Sequence, residues 1–163
     1  MNTKKLATAL IIASLAFSVT SCGGEVSDQN ENALQTITVD VLSDSMTSQC
    51  SFPEMFVLDA DSIEGEFGVD PSLLSEFYAA VPVEYPGIER IFLAKTADIS
   101  NTSVVLESLQ STFDTIKAEY IDYLPTEYEK AKDAEIISSG DFVALVISAD
   151  SGNAAKIISE SLN

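Results

Sequence analysis

The apolar positions along the chain change period several times, and each change marks an element. Val39, Leu42, Met46 and Cys50 recur at helical spacing and predict an opening helix ended by Pro53, although Ile37, Val39 and Val41 also alternate as a strand would. Asp61 and Glu64 stand at the spacing of an N-terminal capping pair and Gly68 follows as a left-handed stop, which predicts a short helix over 62–67. Phe77, Ala79, Val81 and Val83 then alternate with Glu76, Tyr78 and Ala80, the pattern of a half-buried strand with Pro82 at its end or at a sheet edge. Pro86-Gly87 turns the chain into a second strand over 88–94, so the pair reads as a β-hairpin with a short loop.

The clearest helix comes next. Leu106, Leu109, Phe113, Ile116 and Tyr120 step by three or four and form one apolar stripe, while Glu107, Ser111, Asp114 and Lys117 fall elsewhere. Asn101-Thr102-Ser103 has the letters of a glycosylation sequon and reads better as the start of this helix. Pro125 breaks the chain, and Thr126 with Glu129 has capping-box spacing for a further short helix through Lys132. Ile136-Ile137, the turn Ser139-Gly140-Asp141, and the run 142–147 form a second hairpin whose last strand is apolar at both parities, as suits the middle of a sheet. Asp150 or Ser151 then caps a helix with Ala154, Ile158 and Leu162 on one face. Strands joined in pairs, without regular crossovers, predict a single α+β domain: an antiparallel sheet of about four strands, in two hairpins, packed against helices.

The first residues follow another logic. Lys4 and Lys5 precede an apolar run over 6–19, and Val19-Thr20-Ser21-Cys22 follows, which is the layout of a secretory signal. At 1.5 Å per residue that run reaches about 21 Å as a helix, short of the roughly 30 Å hydrocarbon core, so it reads as a transient signal. Small or branched residues before a cysteine, then Gly23-Gly24, resemble the bacterial lipobox. There the thiol receives a diacylglyceryl group and cleavage leaves the cysteine as the first mature residue. The expectation is therefore a signal peptide over 1–21, a lipidated N-terminus at Cys22 with a polar tether over 22–35, and the α+β domain over 36–163. Diacylglycerol and palmitate on Cys22 would hold the domain on the extracytoplasmic face of the bacterial cell membrane.

Three segments carry a family resemblance: ERIFLAK over 89–95, YIDYLPTEYEKAKDA over 120–134 and GDFVALVISAD over 140–150. In this order they resemble an uncharacterised family of small lipoproteins from low-GC Gram-positive bacteria, a domain of unknown function, over roughly Val39 to Leu162. The resemblance implies the anchor and supplies no activity, cofactor or catalytic residue. Arg90 stands directly after Glu89, where the family pattern favours an apolar or small residue.

Charge narrows the partners. Of 8 basic residues, Lys4 and Lys5 leave with the signal, so 6 face 26 acidic ones, a formal charge of −20. Nucleic-acid binding needs clustered Lys and Arg, and Arg90 is the only arginine; no nucleic acid is expected. Anionic headgroups would be repelled, so lipid must do the holding. With Cys22 acylated, Cys50 has no cysteine to pair with and is expected to be buried as a small apolar residue.

Chemistry is sparse. The chain has no histidine, which removes the usual general base and the commonest metal ligand. No serine stands three residues before a lysine, and no Gly-Lys pair exists for a phosphate loop. Asp59, Asp61 and Asp70 stand at positions one, three and twelve of a calcium loop, but Ile63 and Glu64 occupy positions where a ligand and the turn glycine belong; helix capping explains these aspartates better. Tyr120, Tyr123 and Tyr128 cluster around Pro125 as an aromatic surface, or as core with Tyr123 pinning the helix break. The reading is a non-enzymatic, membrane-anchored module without metal or cofactor that binds another envelope protein or a small ligand. The alternatives are a solute-binding lipoprotein serving a transporter and a histidine-free carboxylate hydrolase.

Overall fold

The computed structural model describes residues 37–163; the signal, Cys22 and tether expectations lie outside the described residues. These residues form one compact unit. Its elements in order are α1 (Val39–Gln49), β1 (Met55–Val57), α2 (Ala60–Phe67), β2 (Leu74–Pro82), β3 (Arg90–Thr96), α3 (Thr102–Tyr123), α4 (Pro125–Ala131), β4 (Ile136–Ser139), β5 (Phe142–Ile147) and α5 (Ser151–Ser161). Short 3-10 turns at Pro71–Leu73 and Ile99–Asn101 lead into β2 and α3. The α+β class follows.

The sheet has five antiparallel strands in the order β1-β2-β3-β5-β4, one more than the hydrophobic pattern suggests. The additional strand, β1, is an edge of three residues in which Phe56 and Val57 stay 59% and 53% exposed. Too short to alternate, it exists because β2 offers a free edge: Phe56 pairs with Val81 and Val57 with Ala80. The two predicted hairpins join through β3 and β5, with Leu93 opposite Ala144.

Both faces of the sheet are covered. Phe92, Ala94, Val143 and Leu145 pack with Ile63 and Phe67 of α2 and with Val105, Leu109, Phe113 and Ile116 of α3. The intervening Ile91, Leu93, Ala144 and Val146 pack with Val39, Leu42 and Met46 of α1 and with Ala154 and Ile158 of α5. Successive side chains of a strand point to opposite faces, so strands buried on both sides need apolar residues at every position. That is why β5 reads as an unbroken apolar run and β3 is apolar throughout its middle, from Ile91 to Ala94.

Cap assignments differ from the sequence expectation in two places. Asp59, not Asp61, caps α2: its carboxylate accepts from the Ser62 N–H at 3.1 Å and from the Ser62 hydroxyl at 2.7 Å. Alternative Asx residues two apart compete for a cap, and the one with extended backbone wins. The Thr126/Glu129 box is not used. Leu124 holds the cap position of α4 without a side-chain bond and Pro125 sits at the first helical turn, where its missing N–H costs nothing and its fixed φ suits a helix. Asp150 stands before α5, but its carboxylate accepts from the Ser51 N–H at 2.8 Å and so ties α5 to the end of α1. Gly68 and Gly140 adopt the left-handed conformation expected of a helix stop and a tight turn.

Candidate functional site

The loop over 83–89 that joins β2 to β3 is longer than a short hairpin turn, and it builds a place where charge, aromatic surface and concavity meet. Gly87 is needed here for closeness: a Cβ on it would collide with the Pro82 ring and lie 3.0 Å from the Glu84 carbonyl. The loop therefore folds back against the end of β2, which brings the Gly87 carbonyl over α3. The Tyr120 hydroxyl donates to that carbonyl at 3.0 Å. Arg90, the first residue of β3, donates through Nη1 to the carbonyls of Gly87 at 3.1 Å and Glu89 at 2.9 Å.

Arg90 shares a strand face with Phe92 and Ala94, the face covered by α2 and α3. Its guanidinium accordingly lies in a groove along α3, walled by the 83–89 loop on one side and the end of α2 on the other. A section of about 280 Å³ holds Arg90 with Glu66, Glu84 and Glu119. A second, of about 330 Å³, runs from Arg90 toward Ser111 and Thr115. A third, of about 400 Å³, lies at the opposite end between Tyr85, Pro86, Glu119, Tyr120 and Tyr123. The α2 wall is fastened where the Thr112 hydroxyl donates to the Phe67 carbonyl at 2.9 Å.

The three tyrosines singled out around Pro125 do not form one surface. Tyr120 is core, as its place in the stripe suggests, and Tyr128 is partly buried against the same cluster. Tyr123 is 80% exposed and pins nothing; the helix break is made by Pro125 itself. Its partner at the groove is Tyr85, 88% exposed, which sequence reasoning missed. The available signal was a large aromatic between Glu84 and Pro86, in a loop with no apolar pattern to absorb it. Tyr120 ionises above the ordinary tyrosine range because burial disfavours the phenolate; the charge of Arg90 opposes this and Glu119, Tyr85 and Glu127 add to it. It is a neutral hydrogen-bond donor at neutral pH.

Beside the groove, Lys130 binds two carboxylates, Glu89 at 2.6 Å and Glu127 at 2.6 Å. Burial works against its charge, but the hydrogen bonds to Glu127 and Glu89 outweigh it and raise its pKa. Glu89 is 7% exposed, so this ion pair anchors the start of β3 and the residue next to Arg90. Cys50 is buried, as expected. Burial, then the charge of Asp150, push its thiol pKa up, and the Asn153 amide 3.6 Å away offsets this in part. A thiol held protonated is a poor nucleophile. Of the aspartates with calcium-loop spacing, Asp59 caps α2 and Asp70 caps the 3-10 turn before β2, accepting from Ser72 N–H at 2.8 Å. Among the described residues no group of three or more Cys, Asp and Glu side chains is gathered to hold a metal ion.

Comparison with curated proteins and with solved structures found no match to the chain. A family match covers residues 48–148, from the end of α1 through β5, and so takes in the whole sheet, α3 and every residue of the groove. Over those residues the chain belongs to the family described as Domain of unknown function (DUF4358).

Proposed function

We propose that this protein is a lipid-anchored binding module on the extracytoplasmic face of a bacterial membrane, held by a diacylglyceryl group on Cys22 and engaging its ligand through the groove around Arg90. The observation that carries the reading is the guanidinium itself: it is fixed by two backbone carbonyls in an open groove as a positioned recognition group. The Val19-Thr20-Ser21-Cys22 segment ahead of Gly23-Gly24 supports the anchor, and two acyl chains hold a protein where one binds reversibly. The lipoprotein character and low-GC Gram-positive origin implied by the family resemblance belong to the same proposal.

Mass spectrometry of the protein purified from bacterial membranes tests the anchor. The expected product begins at Cys22 and carries diacylglyceryl on its sulfur; a free thiol there, or retention of residues 1–21, overturns it. Cys22→Ala should move the protein out of the membrane fraction. A second reading, a solute-binding lipoprotein serving a transporter, is supported by the concave polar groove; the domain has one lobe where that class normally closes two, so the groove would have to hold the solute by itself. Deleting the gene should then lower uptake of one solute while leaving other uptake unchanged.

A further inference from the structure

The groove contains an imbalance of pairing that specifies its ligand. Each lysine among the described residues has a carboxylate partner: Lys95 with Glu76, Lys117 with Asp114, Lys130 with Glu89 and Glu127, Lys132 with Glu129, and Lys156 with Glu160. Arg90 has none among the described residues, in a chain of formal charge −18. Glu66, Glu84 and Glu119 line the same depression, yet none closes an ion pair with it. The Arg90 Nη1 protons are taken by the two carbonyls, whereas the buried Nε–H has no acceptor at all. That Nε–H is enclosed by the protein, so the nitrogen left for a ligand is Nη2, which makes no bond to any described residue and can take a carboxylate oxygen as a charge-assisted partner.

We infer that the groove takes a small zwitterion, an amino acid or short peptide, with its carboxylate on Arg90 and its ammonium among Glu66, Glu84 and Glu119; this rests on the binding-module reading above. A purely anionic ligand would reach Arg90 only past three glutamates and against the field of the whole domain. A purely cationic one would meet the glutamates but face the guanidinium and leave Nη2 without an acceptor. A ligand with both charges pairs each and carries no net charge. Tyr85 and Tyr123 at the adjoining end offer apolar faces with polar tips for a ligand side chain.

Titration calorimetry on the full chain in nanodiscs tests this with three probes: the dipeptide Ala-Phe, its N-acetyl form without the ammonium, and its C-terminal amide without the carboxylate. Ala-Phe should bind and each blocked form should bind at least about tenfold more weakly. Arg90→Gln and Glu119→Gln should each weaken Ala-Phe by a similar factor, and Lys156→Gln on α5 should not. Because Arg90 also holds the 83–89 loop, Glu119→Gln keeps the test valid if Arg90→Gln fails to fold. Equal binding of the three probes, tighter binding of either blocked form, or no heat from Ala-Phe up to about 10 mM overturns the inference. Such a failure with Cys22 still acylated would leave an anchored module of another specificity. An unmodified Cys22 would remove the anchor without touching the titration.

Discussion

Tyr120 and Arg90 meet on one backbone oxygen: the phenol of α3 and the guanidinium of β3 both donate to the Gly87 carbonyl, at 3.0 and 3.1 Å. A shared acceptor makes the two side chains interdependent, since either can satisfy the oxygen when the other is lost. Tyr120→Phe alone should cost about 1 kcal/mol of unfolding free energy. Combined with Arg90→Met it should cost more than the sum of the single changes, by about 0.5 kcal/mol or more, in a double-mutant cycle measured by denaturant unfolding.

Gly87→Ala tests how the groove wall is made. The new Cβ has no room beside the Pro82 ring, so the loop must move off the end of β2 and carry its carbonyl away from Tyr120 and Arg90. The expected loss is about 1–3 kcal/mol, the usual cost of overpacking. A substitution at Gly65 on the exposed face of α2, where an added Cβ meets nothing, should show no comparable loss.

Lys130→Met removes the cation from a site where Glu89 is almost fully enclosed. An uncompensated buried carboxylate is the expensive outcome. With Lys130 itself still partly in solvent, the expected cost is about 1–3 kcal/mol. Glu127→Gln should cost less, because Lys130 keeps Glu89. The reverse order in thermal or denaturant midpoints would show that Glu127 holds the pair.

Alkaline pH should destabilise the fold. Cys50, Tyr78, Tyr120 and Lys130 all have pKa values raised above their ordinary 9.0, 10.0, 10.0 and 10.5. A raised folded-state pKa means that the native protein holds its proton more tightly than the unfolded chain does. Its contribution is complete below the unfolded value and is lost as pH rises through the folded one. Stability should therefore begin to fall near pH 9 and continue falling beyond 10.5, as read from melting temperatures across that range. Lys130→Met should flatten the last part of the decline.

Cys50 should react with a thiol reagent more slowly in the folded protein than in denaturant at the same pH, because it is both covered and held protonated. Equal rates would place the thiol at the surface. Cys50→Ala should be tolerated with a modest loss, as for any small apolar residue in the α1 cluster.

Much of the architecture was readable from local pattern. The helical stripe of α3 and the doubly apolar β5 each reflect one element's own period and burial. β2 is a strand as expected, but its burial does not alternate, since Ala79 and Ala80 are both enclosed between the two helix layers. The Gly140 turn followed from residue chemistry alone. β1 was not readable: three residues, two of them exposed, carry no period, and only the free edge of β2 makes them a strand. The choice of Asp59 over Asp61 was equally hidden, because both have the right chemistry and only the backbone entering α2 separates them.

For function the division falls in the same place. The N-terminal signal pattern and the acidic balance are properties of composition and order, so the chain alone sets the expectation of an anchored, acidic, histidine-free module. The groove depends on residues far apart in sequence. Arg90, Tyr120 and the 83–89 loop become one site only when β3 pairs in the sheet, α3 packs across it and Gly87 lets the loop fold back. Side-chain identity sets which contacts are available, but a shared acceptor and an arginine without a carboxylate partner are facts of three-dimensional proximity, which no local period records.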